Sequence, residues 1–301
     1  MKFRRCALIV TLILFATFAI TLQLTAQANN NPNSGLVTGG PRPQVIAYGD
    51  SLSDNGNIYK ILGFPGPPYW EGRWSNGPVA VENMAAILGM PLVDNAYAAA
   101  TAGIGNAFDG GTPEQLGSLG LPGITTAYNN TINSMSQDTI RRSLFVISGG
   151  SPNFLEEGFT TAAADEAVEN LIAVVRDLQK RGARWILVPG MLDWGMAPAF
   201  TSQGPDTAAQ DTLICKYFNQ RLLARLPKGV LYFDTFSLYE AMGKHPGAFG
   251  LKDVVDSCLD PNTGAPCSNP NEYLFWDGLH PTENVQIILA VGFALAAHGT
   301  Q

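Results

Sequence analysis

Short apolar runs alternate with longer stretches of helical periodicity along most of the chain. Five runs, at 45–49, 92–96, 143–148, 185–188 and 230–233, begin or centre on Val, Ile, Leu or aromatic residues and read as strands. Between and after them, apolar residues recur at three- and four-residue spacing over 78–88, 162–181, 208–226 and 282–298, which predicts helices. Pro78 opens the first of these and Gly182 closes the second, each where its backbone preference suits a helix end. Apolar strands without polar alternation are covered on both faces, so the pattern implies a parallel sheet between helices, the α/β class. No fixed period repeats, and no heptad is sustained. The glycine-rich stretch 103–123 has no period at all and reads as a long surface loop lying over a site. In a parallel sheet of this kind, functional groups collect beyond the carboxyl ends of the strands.

The first 28 residues stand apart. Lys2, Arg4 and Arg5 precede an uncharged apolar run at 7–24, and Ala26 and Ala28 supply the small-x-small pattern of a cleaved secretory leader. The alternative is an uncleaved anchor, since the run is nearly long enough to span a bilayer. The cleavage pattern favours removal, which leaves no stable membrane anchor. A polar segment at 29–42 then reads as a linker, and 43–301 as one domain. Without the leader the chain carries 15 basic and 25 acidic residues, a formal charge of −10. That balance opposes binding to nucleic acid or to an anionic membrane face. With 46% apolar and 14% charged residues the chain is core-forming. Cys258 and Cys267 bracket the turn-rich "LDPNTGAP" and suit a local disulfide in an oxidising, secreted or periplasmic setting. Cys215 lies inside a helical pattern and reads as a buried apolar residue. No zinc-type spacing is present, and the histidines are three: His245, His280 and His298.

Two short stretches carry candidate chemistry. "AYGDSLSDNGN", 47–57, follows the first strand and puts Ser51 just beyond its carboxyl end, at the turn into a helix. A serine there is ordinarily an N-cap. It is also where a nucleophile would find its own unsatisfied backbone N–H beside it. "YLFWDGLHPTE", 273–283, places Asp277 and His280 three residues apart in a turn closed by Pro281. A serine hydroxyl attacks only when an imidazole takes its proton, and the imidazole needs an anion to fix its tautomer. The plainer reading makes Asp277 an Asx-turn residue and His280 a surface histidine. His245 and His298 have no acid so near.

Three separated blocks then share a resemblance: "GDSLSDNGN", "YWEGRWSNGPVAVENMAAILG" at 69–89, and "CSNPNEYLFWDGLHPTE". Together they resemble the GDSL or SGNH hydrolase superfamily, in the branch of plant GDSL lipases and bacterial secreted phospholipase- or hemolysin-type esterases. The similarity runs from about Val45 to the C-terminus. It implies a three-layer α/β/α, flavodoxin-like fold with a mostly five-stranded parallel sheet and no cofactor. It also implies Ser51 as nucleophile, His280 as base and Asp277 as its orienting acid.

In the family a glycine and an asparagine join the serine N–H in an oxyanion hole, and this chain departs at both. Ala99 of "NAYAAATAG" stands where glycine is usual, so its N–H survives but its backbone is strained if φ must be positive. In "VISGGSPNFLE" a one-residue shift brings Asn153 to the asparagine position, whereas an ungapped match puts Pro152 there. Arg73, Ser75 and Asn76 match the family block but are sufficiently explained as a turn before Pro78. Trp70, Trp74 and Trp194 could line an acyl site, although core packing is the commoner role of aromatic residues. The resemblance implies a secreted serine esterase or lipase acting on small-molecule or lipid esters. A polysaccharide O-acetyl esterase, or a non-catalytic binding protein on the same scaffold, are the alternatives.

Overall fold

The computed structural model describes residues 43–298, so the leader and linker expected at 1–28 and 29–42 lie outside the described residues. Strands β1 (Val45–Tyr48), β2 (Leu92–Asp94), β3 (Leu144–Ile147), β4 (Trp185–Pro189) and β5 (Leu231–Phe233) form one sheet. Its order is β2-β1-β3-β4-β5, and every pairing is parallel. All five coincide with the expected apolar runs to within one or two residues. Every residue of β1 and β3 is buried, although successive side chains point to opposite faces. Both faces of the sheet centre are therefore covered, while the edge strands β2 and β5 stay half-buried.

Among the described residues there are ten helices: α1 (Asn57–Leu62), α2 (Ala80–Leu88), α3 (Ile124–Ile132), α4 (Gln137–Arg142), α5 (Ser151–Glu157), α6 (Thr161–Lys180), α7 (Pro198–Thr201), α8 (Pro205–Arg225), α9 (Thr235–Lys244) and α10 (Glu283–His298). In α6 the buried positions Ala164, Ala167, Val168, Leu171, Ile172 and Val175 follow the three- and four-residue spacing that made it legible. Thr160 caps it by accepting from Ala163 N–H at 3.1 Å. α6 packs between α3 and α8, and α2 packs on α10. Among the described residues no helix is long and apolar enough to cross a membrane.

Neighbour order reverses at β1: β2 lies to one side of it, and β3, β4 and β5 lie to the other. The crevice beyond the carboxyl ends of β1 and β3 is thus the switch point, the place where an open parallel sheet binds ligands. Ser51 follows β1 and the start of α5 follows β3, so both open onto that crevice.

A separate two-stranded parallel pair, β6 (Asp253–Ser257) and β7 (Tyr273–Phe275), supplies the third side. The turn leaving β7 is closed by Trp276 N–H donating to His280 O at 2.7 Å. Cys258 and Cys267 are bonded, with Cα atoms 4.9 Å apart. Cys258 and Leu259 also donate backbone bonds to Phe275 O and Trp276 O, at 3.0 and 2.8 Å. The bridge therefore staples the loop that backs the histidine turn. Cys215 is buried in α8, and burial pushes its thiol pKa up.

The stretch 103–123 is irregular but tightly bonded to itself. Ile104 N–H donates to Pro113 O, Gly105 N–H to Thr112 O and Gly123 N–H to Ile104 O, at 2.7–2.8 Å. A Cβ at Gly105 would collide with the backbone of Gln115 and Thr112. The glycines permit backbone-to-backbone contact there, which needs no period.

Closing a short loop, here of 9 residues' separation, stabilises by about 2–3 kcal/mol on the chain-entropy model. Replacing Cys258 and Cys267 together by serine should lower the unfolding free energy by that amount in a denaturant titration. An unchanged midpoint would show that the bridge contributes nothing to the fold.

Candidate active site

The turn after β1 is built by Asp50. Its carbonyl accepts from Ser53 N–H and Asp54 N–H, both at 3.0 Å, and its Oδ1 accepts from Leu52 N–H at 3.1 Å. Helix α1 begins only at Asn57, so Ser51 lies in this turn and not, as expected, at a helix start. Gly49 keeps the turn close to β3, since a Cβ there would stand 2.9 Å from Ser148 O. Asp54 gathers Gly56, Asn57 and Ile58 N–H groups and also Ala98 N–H at 2.8 Å. Asn57 donates to Asp94 O and Ala96 O at 3.1 and 2.9 Å. The polar residues of "GDSLSDNGN" thus tie the serine turn to the loop that carries Ala99.

Ser51, Asp277 and His280 meet. Ser51 Oγ lies 2.9 Å from His280 Nε2, across 229 positions of sequence. His280 Nδ1 lies 2.8 Å from Asp277 Oδ2, and Asp277 Oδ1 accepts from the N–H groups of Leu279 and His280 at 2.8 and 2.7 Å. Tyr69 OH donates to Asp277 Oδ2 at 2.7 Å, a contact between residues 208 apart that sequence reading missed. Burial works against the charge on Asp277. The facing His280 and the N–H donors outweigh it and hold the carboxyl below its ordinary value. Burial, then the neighbouring Asp277, pushes Tyr69 up, so it stays a donor. An ionised carboxylate can only accept, so Nδ1 carries the ring proton and Nε2 is free to accept from Ser51.

The histidine turn is held from outside the turn as well. Ser75 Oγ donates to Pro281 O at 2.8 Å, and Asn76 Oδ1 accepts from Glu283 N–H at 2.8 Å. Arg73 grips Glu82 with two N–H groups, at 3.2 and 2.7 Å. Read from sequence as a plain turn, "GRWSNGP" instead clamps the segment carrying His280. The Trp74 ring lies 5.1 Å from the His280 ring, with Tyr69 and Phe108 at 5.5 and 5.7 Å on its other contacts.

Ser51, Ala99, Ser151 and His280 line one cleft of about 600 Å³, counting the part open to solvent. Its other walls are apolar: Trp74, Phe108, Leu155, Phe159, Trp194 and Phe200. Trp74 and Trp194 are therefore cleft walls as well as core, whereas Trp70 stacks under Arg73 at 4.7 Å. Ala99 has φ +60, the left-handed region that strains a residue with a Cβ by about 1–2 kcal/mol. Among the described residues no protein group accepts from the N–H of Ser51 or of Ala99. Asn153, expected to offer its amide here, is fully buried and is not a cleft wall. Its Oδ1 accepts from Ala102 N–H at 2.9 Å, and its Nδ2 is enclosed without a partner. A helical start at Ser151 turns the third residue of α5 away from the wall that the first two residues form. Ser151, which sequence reading passed over, stands on that wall.

With this geometry in hand, the likeness to known proteins is specific. Residues 45–292 match the model of the GDSL-like lipase/acylhydrolase family. The chain belongs to that family. It is 28% identical to a GDSL esterase/lipase of Arabidopsis thaliana, over 86% of this chain and 82% of the relative. It is 27% identical to acetylajmalan esterase 2 of Rauvolfia serpentina, over 81% and 87% respectively. The crystal structure of phospholipase A1 from Streptomyces albidoflavus NA297 shares the fold, with a TM-score of 0.51 and 15% identity over 87% of this chain and all of that one. Membership makes the protein a carboxylic ester hydrolase.

Asp50 is buried beside Ser51, with no hydrogen-bond partner for its Oδ2. Burial pushes its carboxyl up to about 6; the N–H of Leu52 and the charge of His280 only partly oppose this. A folded-state value raised above the unfolded value of about 4 adds stability below pH 4 that is lost as pH rises through 6. Asp50→Asn should therefore gain on the wild type between pH 4 and pH 7, by up to about 3 kcal/mol in unfolding free energy. A difference between the two proteins that does not change with pH would show that Asp50 does not titrate there.

Proposed function

We propose that the protein is a secreted serine esterase, with Ser51 as nucleophile, His280 as general base and Asp277 as the acid that orients it. The observation that carries this reading is the 2.9 Å approach of Ser51 Oγ to His280 Nε2 inside a mostly apolar cleft. His280 Nε2 takes the hydroxyl proton as Ser51 attacks the ester carbonyl. The carbonyl oxygen becomes an oxyanion, met by the free N–H groups of Ser51 and Ala99. His280 returns the proton to the departing alcohol, and a water activated by the same ring releases the acid from Ser51. Asp277, kept ionised by its donors, stabilises the imidazolium in both halves without taking the proton.

The cleft walls support an apolar acyl group. Each buried methylene contributes about 0.8 kcal/mol, so lengthening the acyl chain should raise kcat/KM until the cleft is filled. A polysaccharide acetyl ester would leave Phe108, Phe159 and Phe200 without a partner. The disulfide and the leader pattern support an extracytoplasmic, oxidising location.

A fluorophosphonate probe should label the wild type at Ser51 and leave Ser51→Ala unlabelled. Octanoyl esters should be hydrolysed faster than acetylated xylan. Asp277→Asn should lose on the order of 10⁴ in kcat, because the ring then adopts the wrong tautomer. An unlabelled wild type, or a Ser51→Ala variant as active as the wild type, would refute the assignment.

A further inference from the structure

The oxyanion described above has two backbone donors and no side-chain donor, and Asn153 is turned away from it. We propose that the hydroxyl of Ser151 is the third donor, held in position by Trp194. This rests on the esterase reading and adds a catalytic residue to it.

The placement follows from the sheet. Tyr48 of β1 pairs with Ile147 of β3, so Ser51 and Ser151 stand three and four residues beyond partners in adjacent strands. Neighbouring strands lie about 4.8 Å apart, so both serines open onto the same crevice. Both line the cleft, together with Ala99 and His280.

Donor and acceptor roles settle what the second hydroxyl can do. Trp194 Nε1 donates to Ser151 Oγ at 3.1 Å. An indole nitrogen can only donate, so Ser151 is the acceptor in that bond. The hydroxyl hydrogen is left over, and among the described residues no protein group accepts it. Gly150 occupies the cap of α5, so the hydroxyl does not serve as a cap either. The bond from Trp194 fixes the oxygen, and the hydrogen is free to turn into the cleft. A hydroxyl donates more strongly to an oxyanion than to a neutral carbonyl, so its contribution grows as the tetrahedral intermediate forms. Asn153 has a different task. By accepting from Ala102 N–H it fastens α5 to the loop of Ala99, which holds the donors of two loops in register.

The experiment measures kcat and KM on p-nitrophenyl octanoate, with fluorophosphonate labelling of Ser51 as a parallel readout. Ser151→Ala should lose roughly 10²-fold or more in kcat with little change in KM, while Ser51 still takes the label. Ser151→Thr, which restores a hydroxyl, should recover most of that loss. Trp194→Phe keeps the wall and removes the N–H; it should lower kcat by less than Ser151→Ala, again with KM nearly unchanged. Wild-type kcat in Ser151→Ala, or a rise in KM alone, would overturn the assignment while leaving the esterase reading intact. A wild type that neither hydrolyses the ester nor takes the label would overturn the esterase reading itself.

Discussion

A hydroxyl can pass its proton to an imidazole only when the two heavy atoms stand about 3 Å apart. In this chain the two atoms belong to residues 229 positions apart, and they stand at 2.9 Å. Much of the architecture around the cleft serves that separation. The parallel pairing of β1 with β3 fixes the serine turn at the sheet's switch point. The β6–β7 pair and its disulfide brace the histidine turn from behind. Ser75 and Asn76 reach from the segment before α2 to the backbone of Pro281 and Glu283. Three separate parts of the chain thus converge on one distance.

Charge is arranged with the same economy. Asp277 is largely buried, and a buried carboxylate is tolerated only when its oxygens are satisfied. Two backbone N–H groups, the His280 ring and the Tyr69 hydroxyl satisfy them. That set keeps the carboxylate ionised and orients the ring. The walls of the cleft on the other side are mostly apolar, and a lower local dielectric strengthens each of these bonds. Among the described residues no Lys or Arg lines the cleft.

The sheet was legible because buried parallel strands leave an unbroken apolar signature, and the long helices because their period survives over many residues. β6 escaped because "DVVDS" sets its two valines between aspartates and stays partly exposed, so it carries no apolar run. α5 escaped because "SPNFLEE" is barely two turns long, too short for a period to show, and has a proline in its first turn. The convergence of residues 51, 277 and 280 was expected from their types and from the family resemblance. The Ala99 strain was foreseen as a condition and is met at φ +60. What sequence could not supply was direction: which residue of "SGGSPNF" faces the cleft depends on where α5 starts, and a one-residue change there rotates the side chains by about 100°. The contact of Tyr69 with Asp277 left no local trace, since neither residue needs the other to form its own turn.

The central claim is that Ser51 and His280 act as one unit. It is tested most directly by kcat/KM of Ser51→Ala, His280→Ala and the double variant on one octanoyl ester. If the two form a single proton-transfer pair, each single change falls to nearly the same residual rate, and the double variant falls no further than about threefold below it. If the losses of the two single variants multiply in the double, the residues act independently and the account is wrong.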